Sequence, residues 1–223
     1  MKNKDKIIDY FDNQADGSVI AANQLYVEQF SKMTESAFFK ALERLVQSGY
    51  LVRVAKGMYS KNIESDEQAM LNYYFGEDNS KGMYIGSKLY AKYSIAKDTS
   101  DTIELYSNAI SKDTAKVGSI YVKRVNIELS FDNTKVIEAL EILQNYAKIE
   151  NLDKHRFAMY AKQYALSYND EAAVHVVNNM HYKKSTIAFM KKILDMYKVD
   201  NSMQQFLSFA SRYNVPAVQR IAR

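Results

Sequence analysis

Six polar side chains early in the chain have types and spacing suited to touching a nucleic acid. Ser36, Lys40 and Arg44 recur every fourth residue, so on a helix they form one stripe. Arg53, Lys56 and Lys61 follow in a segment patterned as a hairpin, with Lys56-Gly57 as its turn. A helix that enters the major groove reads base edges with side chains near its N-terminus. Cations on a neighbouring hairpin hold phosphates, which sets register without reading sequence. The expected chemistry is DNA binding, with Ser36, Lys40 and Arg44 on the helix and Arg53, Lys56 and Lys61 on the hairpin.

The elements that must position these groups are legible around them. Thr34 can cap a helix in which Phe38, Ala41, Leu42 and Leu45 fall at i, i+3, i+4 and i+7 and face a core. Gly49 suits a left-handed stop, Tyr50–Ala55 alternates as a strand, and Met58–Ser60 returns. Upstream, residues 5–14 place Ile7, Ile8, Tyr10 and Phe11 on one side of a short helix. Asp16-Gly17 breaks it, Ser18–Ala21 reads as a strand, and Asn23 is the expected cap of a second helix holding Leu25, Tyr26, Val27 and Phe30. Ser31–Met33 then turns. This order is that of a winged helix-turn-helix, expected over residues 1–62.

The remainder, 63–223, reads as a second domain in two parts. Residues 63–80 predict a connecting helix and an acidic loop. Strands are expected at 83–85, 102–106, 119–122 and 125–129, with helices at 87–93 and 135–149. From Leu152 onward only helices are expected. Their stripes are Phe157/Tyr160/Ala161/Tyr164, Ile187/Met190/Leu194 and Phe206/Phe209/Ala210/Tyr213, with Pro216 opening a last turn. Tyr160–Tyr164 and Phe209–Tyr213 are alike enough to hint at a duplicated helical unit. The fold class is α+β: an N-terminal winged helix, a mixed α/β part (63–151) and a helical C-terminal region (152–223).

Composition narrows the function classes. With 223 residues, 47% of them hydrophobic and 25% charged, the chain resembles an ordinary globular protein. No cysteine is present, which excludes disulfides and thiolate zinc sites and suits a cytoplasmic protein. No apolar run approaches the roughly 18 residues that cross a bilayer, and the start MKNKDK precedes a segment too short and charged for a signal-peptide core. His155, His175 and His181 lack metal-ligand spacing, and neither a nucleophile elbow nor a glycine-rich phosphate loop occurs. No catalytic residue, metal or cofactor is expected. The net charge of +4 divides into +2 over 1–62, −5 over 63–153 and +7 over 154–223, which points to charged partners. The 18 tyrosines suit packing stripes with polar ends or a protein interface.

One pattern is enzyme-like. Ile85-Gly86-Ser87 followed by Thr102-Ile103-Glu104 resembles the Gly-Ser and acidic motifs of nucleotidyltransferases, which need two carboxylates alternating on one strand to hold a metal pair. Here Thr102 takes the first carboxylate position, and Asp101 has the wrong parity. No activity is expected.

The succession ALERLVQSGYLVRVAKGMYSK (41–61), GMYIGSKLYAKYSIAKDTSDTIELYS (82–107) and VGSIYVKRVNIEL (117–129) resembles the antitoxins of AbiE-type abortive-infection systems, the AbiEi family. The chain departs from the family's Gly-Leu-Thr-Thr wording, reading Tyr93-Ser94-Ile95-Ala96. The resemblance implies a bacterial type IV toxin–antitoxin role in phage defence. It implies an N-terminal winged helix that acts as transcription repressor of its own operon, at promoter DNA with inverted repeats. A C-terminal domain would counteract a nucleotidyltransferase toxin, with no stable complex expected. Repression then falls to residues within 34–61 and antitoxicity broadly to 63–223. The competing reading is an interaction protein that binds another protein or RNA through its winged helix and basic helical tail.

Overall fold

The computed structural model describes residues 3–62 and 66–219, so the first residues expected of the connector, 63–65, lie outside the described residues. The chain divides into two compact units, 1–78 with 116–120 and 79–115 with 121–223.

The first unit begins with helix α1 (Asn3–Asp12), strand β1 (Val19–Ala21) and the short helix α2 (Ala22–Leu25), which widens into a π-type turn over Tyr26–Phe30. Helix α3 (Glu35–Gln47) follows, then the hairpin β2 (Val52–Ala55) and β3 (Met58–Ser60). β3 lies between β1 and β2, antiparallel to both. Ile7, Phe11, Leu25, Phe30, Phe38, Leu42, Leu45 and Leu51 make one buried core. Phe38 sits at its centre, fully buried, with ring centroids of Tyr26, Phe30 and Phe39 at 5.5, 5.4 and 5.3 Å. α2 starts earlier than the Asn23 cap implied: β1 runs straight into it, and the Ala22 N–H donates to the Gly57 carbonyl at 2.9 Å. Helix α4 (Asp66–Phe75) buries Ala69, Met70, Leu71 and Tyr74 and packs against β1 and β2. Burial of that face places it in the first unit, whereas its sequence reads as a connector to the second domain.

A four-stranded sheet runs in the order β4 (Gly82–Tyr84), β5 (Ile103–Ser107), β7 (Ile120–Arg124), β6 (Thr114–Val117), most of it in the second unit and its residues 116–120 assigned to the first. Helix α5 (Gly86–Lys92) links the first two, and α6 (Phe131–Asn145), α7 (Lys154–Leu166), α8 (Asp170–Asn179) and α9 (Lys184–Met196) build the helical layer. α6 is its axis, buried without interruption from Val136 to Leu143 and packed by α8 and α9. That run includes two carboxylates, each satisfied: Glu138 pairs with Lys92 at 2.6 Å and accepts from the Tyr93 hydroxyl, and Glu141 accepts from Tyr106 at 2.9 Å. Buried charge is tolerated only with such partners.

Several expectations are corrected here, and one strand is added. α6 spans 131–145 rather than 135–149, because the Ser130 hydroxyl caps it by accepting from the Asn133 N–H at 3.3 Å. Residues 125–129 alternate in burial as a strand would but form no ladder, with the Val125 N–H donating to the Ser107 carbonyl. β6 is hidden in the sequence because it is a polar edge strand. Finally, the C-terminal stripe is not a helix: after a short 3₁₀ turn at Met203–Phe206 the chain is irregular to residue 219, and Phe209 is exposed. Extended, that segment sets Phe206, Leu207, Val215 and Val218 against the core. No helical duplication of Tyr160–Tyr164 exists there, and Pro216 opens no turn of helix.

The turn into this segment is held by Asp170. Its carboxylate accepts from the Ser202 N–H at 2.8 Å, the Ser202 hydroxyl at 2.6 Å and the Tyr168 hydroxyl at 2.8 Å. Burial raises its pKa, but the Ser202 and Tyr168 hydrogen bonds outweigh that and hold the carboxyl below its ordinary value. A depressed pKa stabilises the fold above the unfolded value of about 3.9, and that contribution is lost as pH falls through the folded value. Asp170→Ala is therefore expected to cost about 1.5–3 kcal/mol at pH 7, a gap to parent that closes below about pH 4 in urea titrations.

Candidate nucleic-acid interface

The α3 stripe is assembled by local rules. The Thr34 hydroxyl accepts from the Ala37 N–H at 3.3 Å and starts the helix. At the other end the Gly49 N–H bonds the Val46 carbonyl at 3.0 Å and the Tyr50 N–H bonds Leu45 at 2.9 Å, a Schellman stop that needs the left-handed φ of 71° at Gly49. Phe38, Leu42 and Leu45 are buried, which turns Ser36, Lys40 and Arg44 outward, all exposed. Glu43 and Gln47 share that outer face. Lys32, exposed in the turn before the cap, adds a cation that helical spacing does not reveal because it lies outside the helix.

In the hairpin, Arg53 and Lys56 are exposed and Val54 is buried. The β2–β3 register slips between Arg53 and Ala55, a bulge that sharpens the local twist. Gly57 makes the turn with φ 77°. Among the described residues, Lys40, Arg44, Arg53 and Lys56 pair with no carboxylate.

Lys61 differs. Its ammonium pairs with Asp12, whose carboxylate also accepts from the Tyr50 hydroxyl at 2.7 Å, and it lies 5.3 Å from the Tyr50 ring centroid. The hydrogen bond to Asp12 raises the Lys61 pKa, and the Lys61 and Tyr50 bonds lower that of Asp12. This clamp ties the end of the hairpin to α1, so Lys61 positions the hairpin while Arg53 and Lys56 are left open.

The enzyme-like motif lies wholly in the second unit. Gly86, Ser87, Thr102 and Glu104 line one cavity of about 560 Å³ together with Lys123 and Glu141. Thr102, just before β5, and Glu104 within it both line the cavity. Gly86 takes a left-handed φ of 61° that favours glycine, and a Cβ there would lie 3.2 Å from Glu104 Oε2, close enough to make that carboxylate shift. The Ser87 hydroxyl donates to Asp98, which also pairs with Lys88 at 2.8 Å. Lys123 Nζ stands 3.9 Å from Glu104 Oε2. Burial raises the pKa of Glu141, opposed by Tyr106 and Lys123.

Among the described residues no group of three or more metal-ligating side chains converges, and no helix is long and apolar enough to cross a membrane. The three histidines are all exposed. No protein-family model matches the chain, and no curated protein is significantly similar to it.

Proposed function

We propose that the chain is a DNA-binding antitoxin of the AbiE type, whose first unit is a winged helix that represses its own operon. The observation that carries this reading is the exposed, unpaired set Lys40, Arg44, Arg53 and Lys56, set out on a helix and hairpin in the order α1-β1-α2-α3-β2-β3. On this reading Ser36, near the start of α3, would meet base edges, and Glu43 would supply an acceptor suited to cytosine N4. The remaining fold then carries antitoxicity against a nucleotidyltransferase toxin encoded beside it, without a stable complex.

Growth rescue tests the pairing of functions. Co-expression of the full chain with the neighbouring toxin is expected to restore growth. A variant with Lys40, Arg44, Arg53 and Lys56 all replaced by alanine should keep rescue and lose repression of a promoter fusion. Loss of rescue in that variant, with its circular dichroism unchanged, would contradict separate roles for the two units.

The same reading holds that the chain is not an enzyme. Thr102 removes one carboxylate from the motif, and the Lys123 ammonium beside Glu104 opposes a dication there. Labelled nucleotide offered with magnesium or manganese, RNA and protein acceptors is expected to give no transfer. Transfer that vanishes in Glu104→Ala would overturn this.

A further inference from the structure

The cavity under the Gly86-Ser87 turn is better built to bind than to catalyse. Its floor is Glu141, only 5% exposed and held by the Tyr106 hydroxyl at 2.9 Å and by the Tyr182 hydroxyl. Half-buried Glu104, Lys123, Tyr90 and Asn145 form its walls, and Lys97, Lys148 and Glu150 stand exposed at its mouth. A volume of about 560 Å³ lies in the range of small-ligand sites, roughly 300–1,000 Å³.

The lining limits the ligand. The Glu104 carboxylate, and that of Glu141 in its ionised form, only accept hydrogen bonds, so a ligand matched to this pair presents donors at the buried end. Lys123, 3.9 Å from Glu104, already offsets one of the two carboxylates and repels a cationic head such as guanidinium. A neutral group with adjacent N–H donors satisfies both conditions. Guanine has such an edge, N1–H beside N2–H₂, whereas adenine, cytosine and uracil set an acceptor beside their donor and would turn it to a carboxylate. Two lysines against the single carboxylate of Glu150 leave the mouth net positive and call for an anion at that end, and Ser100 and Thr102 also line the cavity. We propose that this cavity binds a guanine nucleotide, its base edge on Glu141 and Glu104 and its phosphate on Lys97 and Lys148. This site is independent of the α3 interface, and its failure would leave the DNA-binding reading untouched.

Calorimetric titration of the full chain with GMP, AMP, CMP, UMP and free arginine tests it. GMP is expected to bind saturably, with the other four at least about tenfold weaker. Glu141→Gln keeps an acceptor for Tyr106 but offers guanine a donor, and is expected to lower GMP affinity at least about tenfold. Lys97→Ala/Lys148→Ala changes only exposed side chains. It should weaken GMP about tenfold while leaving guanosine binding unchanged. Absence of saturable GMP binding, equal binding of all four nucleotides or preference for arginine would overturn the proposal. So would GMP affinity unchanged in the folded double-lysine variant.

Discussion

Replacing Lys40, Arg44, Arg53 and Lys56 together with alanine is expected to weaken binding to the chain's own promoter by on the order of a thousandfold, at about 1 kcal/mol or more for each lost contact. All four are exposed and unpaired among the described residues, so their removal leaves no buried group unsatisfied and the fold intact. Each phosphate contact releases counterions, so the variant's affinity should also fall less steeply with salt, by up to about 0.9 per lost phosphate contact in the logarithmic slope. Lys61→Ala is the control. Lys61 is committed to Asp12 and Tyr50, so it should affect binding less than Lys56→Ala and act through the stability of the hairpin. Unchanged mobility-shift affinity in the quadruple variant would remove α3 and the hairpin from the interface.

The second large effect is on stability. Phe38→Ala deletes a fully buried ring that packs against three others in the first unit's core. Such truncations cost about 3–5 kcal/mol, a large part of the about 5–15 kcal/mol that holds most domains together. The core of the second unit shares no residue with this one. Thermal melts should therefore show the first unit weakened, with the proposed promoter binding lost at temperatures where the second unit's helical signal persists. A melting profile and DNA affinity matching the parent's would mean that Phe38 is not the keystone of this core.

Legibility in the sequence depends on how local the determinants are. α3 is legible because its start, stripe and stop are all local: the Thr34 hydroxyl, Phe38/Leu42/Leu45, and Gly49 in its left-handed φ. The hairpin is legible for the same reason, through Lys56-Gly57. α4 reads as part of the region after residue 62 because its partners, β1 and β2, are distant in sequence and only packing reveals them. Residues 125–129 show that alternating burial does not by itself make a strand, which also needs a backbone ladder. Phe206, Phe209, Ala210 and Tyr213 have helical spacing, yet Ser208, Ser211, Asn214 and Pro216 around them favour an extended path over the core.

The candidate sites divide in the same way. The outward stripe Ser36/Lys40/Arg44 comes from helical periodicity, and Thr102 and Glu104, paired in the sequence motif, share a cavity. The clamp on Lys61 is invisible in the sequence because Asp12 lies 49 residues away. Glu141 is invisible because α6 reads as an ordinary core helix, and its meeting with Glu104 and Lys123 depends on how the sheet and helix pack.

The most direct test of operon-specific repression is a mobility-shift titration of the full chain at fixed physiological salt. It compares the DNA upstream of its own operon with an unrelated duplex of equal length. A specific repressor should prefer the upstream DNA by about a thousandfold or more, with protection centred on inverted repeats and lost in the quadruple variant. Equal affinity for both duplexes, or no shift with either, would contradict the claim that this chain is an operon-specific repressor.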